Sequence, residues 1–146
     1  MKQKLSKMVF KAFLDINILL DFFLKRDGFP LAERVLKLAE KREIDLYISV
    51  SILQTSAYFL QKYYGPVLAK KLLTELLLMV NLIDSDKEVV IQALNSSIDD
   101  IEDAVHYYTA MKHDLGYLIT RDTSFQQAKH QGIQVIDPER FIRIFK

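Results

Sequence analysis

Hydrophobic and polar positions alternate along the chain between short apolar runs and longer stretches with helical periodicity. Five runs have the length and the β-branched or aromatic content of strands, at residues 9–14, 46–50, 79–83, 116–120 and 133–136. Helical stretches separate these runs, and a short one follows the last. Strands and helices that alternate at this spacing are typical of βαβ units. The pattern therefore predicts an α/β fold with a parallel sheet between helices.

Proline, glycine and aspartate mark several predicted helix boundaries. Pro30 can begin a helix because its missing N–H would be unpaired there, and Gly65-Pro66 can end one helix and begin the next. Aspartates stand where an N-cap oxygen would accept free backbone N–H groups, at Asp86, at Asp99 or Asp100, and at Asp137.

The length of 146 residues and mass of 17.0 kDa predict one domain, residues 1–146, with residues 1–7 flexible. The net charge of +1 gives no global field toward nucleic acid, so any RNA-binding surface must be local. Cysteine is absent, no signal core is found, and Glu75 interrupts the longest apolar stretch. We expect a cytoplasmic protein with no membrane partner.

Acidic residues follow two of the predicted strands. Asp15 follows the first strand and Asp122 follows the fourth, so both lie at the edge where open α/β sheets place their sites. Asp103 lies in the first turn of a helix whose apolar positions include Ala104 and Tyr107. Alone, each acid is more often a cap or turn residue, but the combination favours a shared site.

Carboxylates that converge in this way need a counter-charge. Two of them about 5 Å apart repel by roughly 3 kcal/mol at an effective dielectric of about 20. Mg²⁺ or Mn²⁺ suits oxygen ligands and is commonly shared with phosphate oxygens, which predicts a phosphate ester as substrate. Without metal, Asp122→Asn is expected to relieve this crowding and to melt no lower than wild type.

Three segments together resemble the PIN domain family, which includes the VapC-type toxin ribonucleases. FLDINILLD is similar to the family's opening strand, EDAVHYYTA to the helix that carries a third acid, and LITRDTSF to the Thr-Arg-Asp segment. The resemblance implies a three-layer α/β/α fold with a central parallel five-stranded sheet. It also implies a metal-dependent endoribonuclease that hydrolyses single-stranded RNA and is restrained by an antitoxin.

The resemblance assigns roles to individual residues. Asp15, Asp103 and Asp122 would be catalytic and would hold Mg²⁺ or Mn²⁺. The supporting residues would be Asn17 in the first loop, Thr120 orienting Asp122, Arg121 meeting RNA phosphate, and Glu102 and Asp100 adding charge. Family members usually carry a Glu where this chain has Thr55, and Ser124 also replaces a frequent acid. A catalytically weak or inactive module that binds RNA or protein is therefore the alternative function.

Other polar and aromatic residues are given ordinary roles. Asp21 is expected to be a solvated or capping charge outside the pocket, and His106 a packed or surface residue rather than a general acid. Most of the tyrosines at helical spacing are expected in the core, although RNA-binding surfaces also use aromatics, at Tyr58, Tyr63, Tyr64, Tyr107 and Tyr108.

The leucine-rich helix within VLAKKLLTELLLMV has an apolar arc wider than one core-facing stripe. Either a neighbouring helix of the same chain covers the extra face or a second subunit does, and the latter predicts a homodimer. A phosphatase with Asp15 as nucleophile is the weakest alternative, since its usual second acid is Asn17 here.

Overall fold

The computed structural model of the protein describes residues 10–127 and 132–144. The strands in these ranges are β1 (Phe10–Leu14), β2 (Ile44–Ser49), β3 (Val80–Ile83), β4 (Tyr117–Ile119) and β5 (Gln134–Ile136). The helices are α1 (Ile16–Phe23), α2 (Phe29–Glu40), α3 (Val50–Tyr64), α4 (Pro66–Leu76), α5 (Lys87–Leu94), α6 (Ile101–Lys112), α7 (Thr123–Gln127) and α8 (Pro138–Ile144). The predicted flexible residues 1–7, and Val9 of the first predicted strand, lie outside the described residues.

The five strands form one parallel sheet in the order β3-β2-β1-β4-β5. The predicted parallel five-stranded sheet is therefore confirmed. The bounds of its strands differ from the predicted ones by at most two residues, and β2 begins at Ile44 rather than at Leu46.

Both faces of the sheet are covered. Ala12, Phe13 and Leu14 of the central strand β1 are all 0% exposed. Because successive side chains of a strand point to opposite faces, helices must cover the two faces alike. This burial confirms the predicted three-layer arrangement, and it explains why β1 is apolar without alternation.

The strand order places a crevice beside β1. The chain pairs β1 with β2 on one side and with β4 on the other, and Leu14 is in register with Ile119. The order of strands along the chain therefore changes direction between β1 and β4. In open α/β sheets, ligands bind at the carboxyl ends of the strands at such a point. Asp15 and Thr120 are the next residues of the two strands.

Several helix boundaries lie where the sequence predicted them. Gly65 has φ of 83°, a left-handed conformation that favours glycine, and Pro66 begins α4 directly after it. The carboxylates of Asp86, Asp100 and Asp137 accept backbone N–H groups at the starts of α5, α6 and α8.

The leucine-rich helix α4 is only partly covered by its own chain. Leu76 is buried against the core, whereas Val67 is 85% and Leu68 is 41% exposed. Just after the helix, Leu78 is 79% exposed. Within the described part of the chain, no neighbouring helix therefore covers the whole apolar arc.

None of the helices within the described residues is long and apolar enough to cross a membrane.

Candidate active site

Asp15 lies at the junction of β1 and α1, where it is 9% exposed. Its backbone N–H donates to the carbonyl of Ile119 at 3.0 Å, which continues the pairing of β1 with β4. Its Oδ1 accepts the N–H of Ile16 at 2.8 Å, so the carboxylate caps α1. An acid can end this buried strand because the N-terminus of α1 supplies a hydrogen bond and a positive partial charge.

Thr120 connects the two strand ends. Its buried hydroxyl donates to Asp15 Oδ2 at 2.8 Å and accepts the backbone N–H of Asp122 at 3.1 Å. One side chain thus fixes the carboxylate of Asp15 and the path of the chain that leads to Asp122. This geometry places Thr120 beside both acids.

Asp122 closes a tight turn at the start of α7. Its Oδ1 accepts the Ser124 hydroxyl at 2.8 Å and the N–H groups of Ser124 and Phe125 at 3.0 and 3.3 Å. These hydrogen bonds hold the pKa of Asp122 below its ordinary value, and the bond from the Ser124 hydroxyl has the largest effect. The sequence analysis expected Asp122→Asn to relieve crowding and to melt no lower than wild type. The structure leads to the opposite expectation, because its hydrogen bonds stabilise the charge of Asp122.

Asp103 lies on α6 and faces the other two acids. Partial burial, followed by the negative charges of Asp100, Asp15 and Asp122, raises the pKa of Asp103 to about 7. A hydrogen bond with Asp103 in turn helps to lower the pKa of Asp122. Three acids from distant segments therefore act on one another at one sheet edge.

The chemistry of these donors fits a small divalent cation. The acids meet with only oxygen donors, and the ionised form of Asp103 is disfavoured there. Within residues 10–127 and 132–144, no three acidic or histidine side chains are grouped tightly enough to hold an ion as they stand. Mg²⁺ usually takes one or two carboxylates together with waters and substrate oxygens. Asp103 and Asp122 can supply these one or two carboxylates.

The supporting acids differ in position. Asp100 caps α6 by accepting the N–H of Asp103 at 2.9 Å, so it is a structural cap that also adds charge beside Asp103. Glu102 lines a cleft of about 510 Å³ together with Asn17 and Thr55. Thr55, where a Glu was expected from the resemblance, thus shares a cleft with an acid from another helix. A further cavity, of about 450 Å³ beside β3, is lined by none of the predicted site residues.

Asp21 is not the solvated charge that the sequence suggested. It is 2% exposed, and its Oδ1 accepts Arg26 Nε at 3.0 Å and Arg121 Nη2 at 3.2 Å. Its Oδ2 lies 2.7 Å from Arg121 Nε, an ion-pair contact without hydrogen-bond angles. The expectation was wrong because the partner that covers Asp21 comes from a strand end 100 residues away. Its signal in the sequence was an acid three residues after Ile18, on the apolar stripe of α1.

Arg121, predicted to meet phosphate, uses Nε and Nη2 on Asp21 and stays 47% exposed. His106 is buried against Phe13, with ring centroids 5.2 Å apart, and burial lowers its pKa. It is therefore a neutral packed residue, as expected. Its Nε2 lies 3.8 Å from Glu102 Oε2, which is beyond a hydrogen bond.

The tyrosines divide between the core and the surface. Tyr107 is buried and Tyr108 is half-buried, as expected. Tyr58 and Tyr63 are 61% and 63% exposed, and Tyr64 is 38% exposed, so a core position was wrong for these three. Tyr63 and Tyr64 line the cleft of Asn17 and Glu102.

The fold and the site together define an α/β protein with an acidic crevice at the carboxyl edge of a parallel sheet. A sequence model of the PIN domain matches residues 11–124, and the chain therefore belongs to the PIN domain family. This match confirms the resemblance, and membership in a family of nucleases supports a hydrolase. No curated protein matches the chain.

Solved structures with the same fold include VapC-type toxins. The toxin-antitoxin complex from Klebsiella pneumoniae has a chain that is 25% identical, with a TM-score of 0.66, covering 87% of this chain and 97% of that one. VapBC2 from Rickettsia felis, bound to a promoter DNA fragment, is 16% identical with a TM-score of 0.63, covering 86% and 96%. Mycobacterium tuberculosis VapC20, a sarcin-ricin loop cleaving toxin, is 15% identical with a TM-score of 0.62, covering 84% and 98%.

Proposed function

We propose that this PIN domain is a metal-dependent endoribonuclease that hydrolyses single-stranded RNA and acts as the toxin of a toxin-antitoxin pair. The observation that carries the proposal is the meeting of Asp15, Asp103 and Asp122 at one sheet edge, where the pKa of Asp103 rises to about 7. A carboxylate held among other acids at such a cost to its ionisation favours a function that needs it there.

Asp103 and Asp122 are the residues that would hold Mg²⁺ or Mn²⁺. An ion held there would supply a lowered pKa for a bound water molecule and a positive charge beside the phosphate. Asp15, which already accepts two hydrogen bonds, is fixed in direction by Ile16 and Thr120. It is therefore suited to orient a water molecule toward the phosphorus.

Glu102 is the residue that supplies the acid missing at Thr55. Both side chains line the same cleft, although they come from α6 and α3. The negative charge of this wall is thus retained from a different element. We therefore expect Glu102→Gln to lower the rate of cleavage, and Thr55→Glu added to that variant to restore it.

Cleavage of a panel of single-stranded RNAs tests the proposal, with Mg²⁺ or Mn²⁺ added or chelated. We expect cleavage that requires the cation and that Asp103→Asn lowers by at least about a hundredfold, as for loss of a group that stabilises developing charge. Asp114→Asn is the matched control, since Asp114 is exposed beyond the other end of α6. Equal rates for wild type and Asp103→Asn would remove the site.

Thr55 favours a second candidate function, a module that binds RNA or protein without cleaving. Calorimetric titration with Mn²⁺ separates the two functions. A nuclease site binds the ion in wild type and loses it in Asp103→Asn. A binding module gives no heat in either protein.

The partners proposed for this chain are an antitoxin protein and a second copy of itself. Toxin-antitoxin complexes among the similar structures support the antitoxin, which would restrain the enzyme by covering the acidic crevice. The exposed apolar face of Val67, Leu68 and Leu78 supports a homodimer. Light scattering should give the dimer mass for wild type and the monomer mass for the double variant Val67→Glu/Leu78→Glu. A wild-type monomer would refute the dimer.

A further inference from the structure

One buried carboxylate holds two arginines next to the acidic crevice. Asp21 has a side chain that is 3% exposed, and it contacts the guanidinium groups of Arg26 and Arg121. The two arginine side chains are 40% and 47% exposed. Each guanidinium therefore has one side on Asp21 and the other side toward solvent.

Both arginines are close to residues of the crevice. Arg121 stands between Thr120 and Asp122 in the chain. Arg26 donates from Nη2 to the carbonyl of Asn17 at 3.3 Å, and it lines the cleft that Asn17 and Glu102 share. The pair is therefore connected to the segments that carry Asp15 and Asp122, through the first turn of α1 and through the residues after β4.

The charges of this cluster do not cancel. Two guanidinium groups and one carboxylate leave a net charge of +1 beside a group of acids. An RNA strand that enters an acidic crevice is repelled by it unless a cation nearby compensates its phosphates. Guanidinium is the group best shaped to bind phosphate oxygens through parallel N–H donors.

We propose that Arg26 and Arg121 form a phosphate subsite for the nucleotide next to the one that is cleaved, and that Asp21 is the positioning residue of this subsite. The inference rests on the proposed function, because it assigns a contact of the same RNA substrate. Beyond the phosphate contact that the resemblance implies for Arg121, it adds Arg26 and Asp21, which do not belong to the acid cluster.

The packing around Asp21 leaves the carboxylate little freedom. Gly28, the residue before α2, lies directly against it, and a Cβ added at Gly28 would lie 2.8 Å from Asp21 Cγ and would overlap Oδ2. The φ of Gly28 is −79°, which an alanine adopts without strain. Gly28→Ala therefore displaces the carboxylate from its arginines without changing any charge.

Binding of a labelled single-stranded RNA tests the subsite. Fluorescence anisotropy is measured over a range of salt concentrations in Ca²⁺, and gels check that the RNA stays intact. For Arg26→Gln and Arg121→Gln we expect about tenfold weaker binding and a log–log salt slope smaller by about 0.7 for each lost phosphate contact. Arg42→Gln is the control for lost charge, since Arg42 is exposed at the opposite edge, before β2.

The positioning role of Asp21 is tested by whether Asp21→Asn strengthens or weakens RNA binding. Asp21→Asn removes a negative charge, so a purely electrostatic effect strengthens RNA binding, as we expect for the exposed control Asp27→Asn. The loss of positioning instead weakens binding several-fold. Gly28→Ala is expected to weaken it likewise, and thermal melting checks that each variant is folded.

Two outcomes would overturn the inference. If the arginine variants bind RNA with the affinity and the salt slope of wild type, the subsite is excluded and the nuclease proposal still stands. If wild type binds no RNA, both proposals fall. If Asp21→Asn and Gly28→Ala fail to fold, Arg26→Lys and Arg121→Lys still test the subsite, because both arginines are half-exposed. These variants keep the charge but lose the parallel N–H donors, so they should bind RNA less tightly than wild type.

Discussion

The raised pKa of Asp103 predicts that Asp103→Asn stabilises the metal-free protein at neutral and alkaline pH. An acid whose pKa is higher in the folded state binds its proton more tightly there than in the unfolded chain. Stability from this residue is then lost as the pH rises from the unfolded pKa of about 4 through the folded pKa of about 7. Asparagine cannot ionise, and its amide can still donate to Asp122.

The size of the effect follows from the shift. A change of about 3 pKa units corresponds to about 4 kcal/mol for a fully buried group. Because the side chain of Asp103 is only partly buried, screening by water reduces this to about 1–2 kcal/mol. For a chain of 146 residues, the Tm of Asp103→Asn should therefore exceed that of wild type by about 3–6 °C when the pH is above 7. At pH 4 the difference in Tm should be nearly zero.

Thermal unfolding of both proteins between pH 4 and 8 in EDTA measures the difference, with Asp114→Asn as the control. A Tm difference that is absent, or that does not vary with pH, would refute the account of Asp103 as a carboxylate repelled by its neighbours. A variant that melts below wild type at pH 8 would show instead that the ionised form is stabilised.

Three further results are expected. Mn²⁺ at a hundred times its Kd should stabilise wild type by about 2.7 kcal/mol and so raise its Tm, but it should leave the Tm of Asp103→Asn unchanged. Equal rises of Tm in the two proteins would place the ion elsewhere. Asp122→Ala should cost about 0.5–2 kcal/mol at pH 7 because it removes the oxygen that caps the turn before α7. Since the pKa of Asp122 is lowered in the folded state, that loss should shrink as the pH falls below about 4, and a loss constant with pH would contradict it. Thr120→Val should cost about 1–3 kcal/mol in chemical denaturation by leaving buried partners unpaired, against little for the exposed control Thr74→Val, and similar losses in both would exclude a special role of the Thr120 hydroxyl.

The sheet edge was predictable because parallel strands impose it. Once Asp15 and Asp122 were assigned to the ends of strands, their approach required only that β1 and β4 be neighbours in register. Asp103 needed in addition the rotation of α6, which its buried Ala104 and Tyr107 fix. These features depend on periodicity, which the sequence carries directly.

The arginine pair was not predictable in the same way. Whether Asp21 is solvated depends on a guanidinium that arrives from the end of β4, and local pattern says nothing of it. The exposed Tyr58, Tyr63 and Tyr64 were missed for a similar reason, since helical spacing cannot tell which side of α3 meets the sheet and which lies open. Contacts between distant segments decided both cases.

The hydrogen bond from Thr120 to Asp15 joins residues 105 positions apart. During synthesis on the ribosome, Asp15 and its helix therefore emerge long before the strand that completes the crevice. Until that strand emerges, the growing chain has no Thr120 to hold Asp15 and no Asp122 to accompany it. The crevice is therefore assembled only after the segment from Thr120 to Asp122 has also left the ribosome.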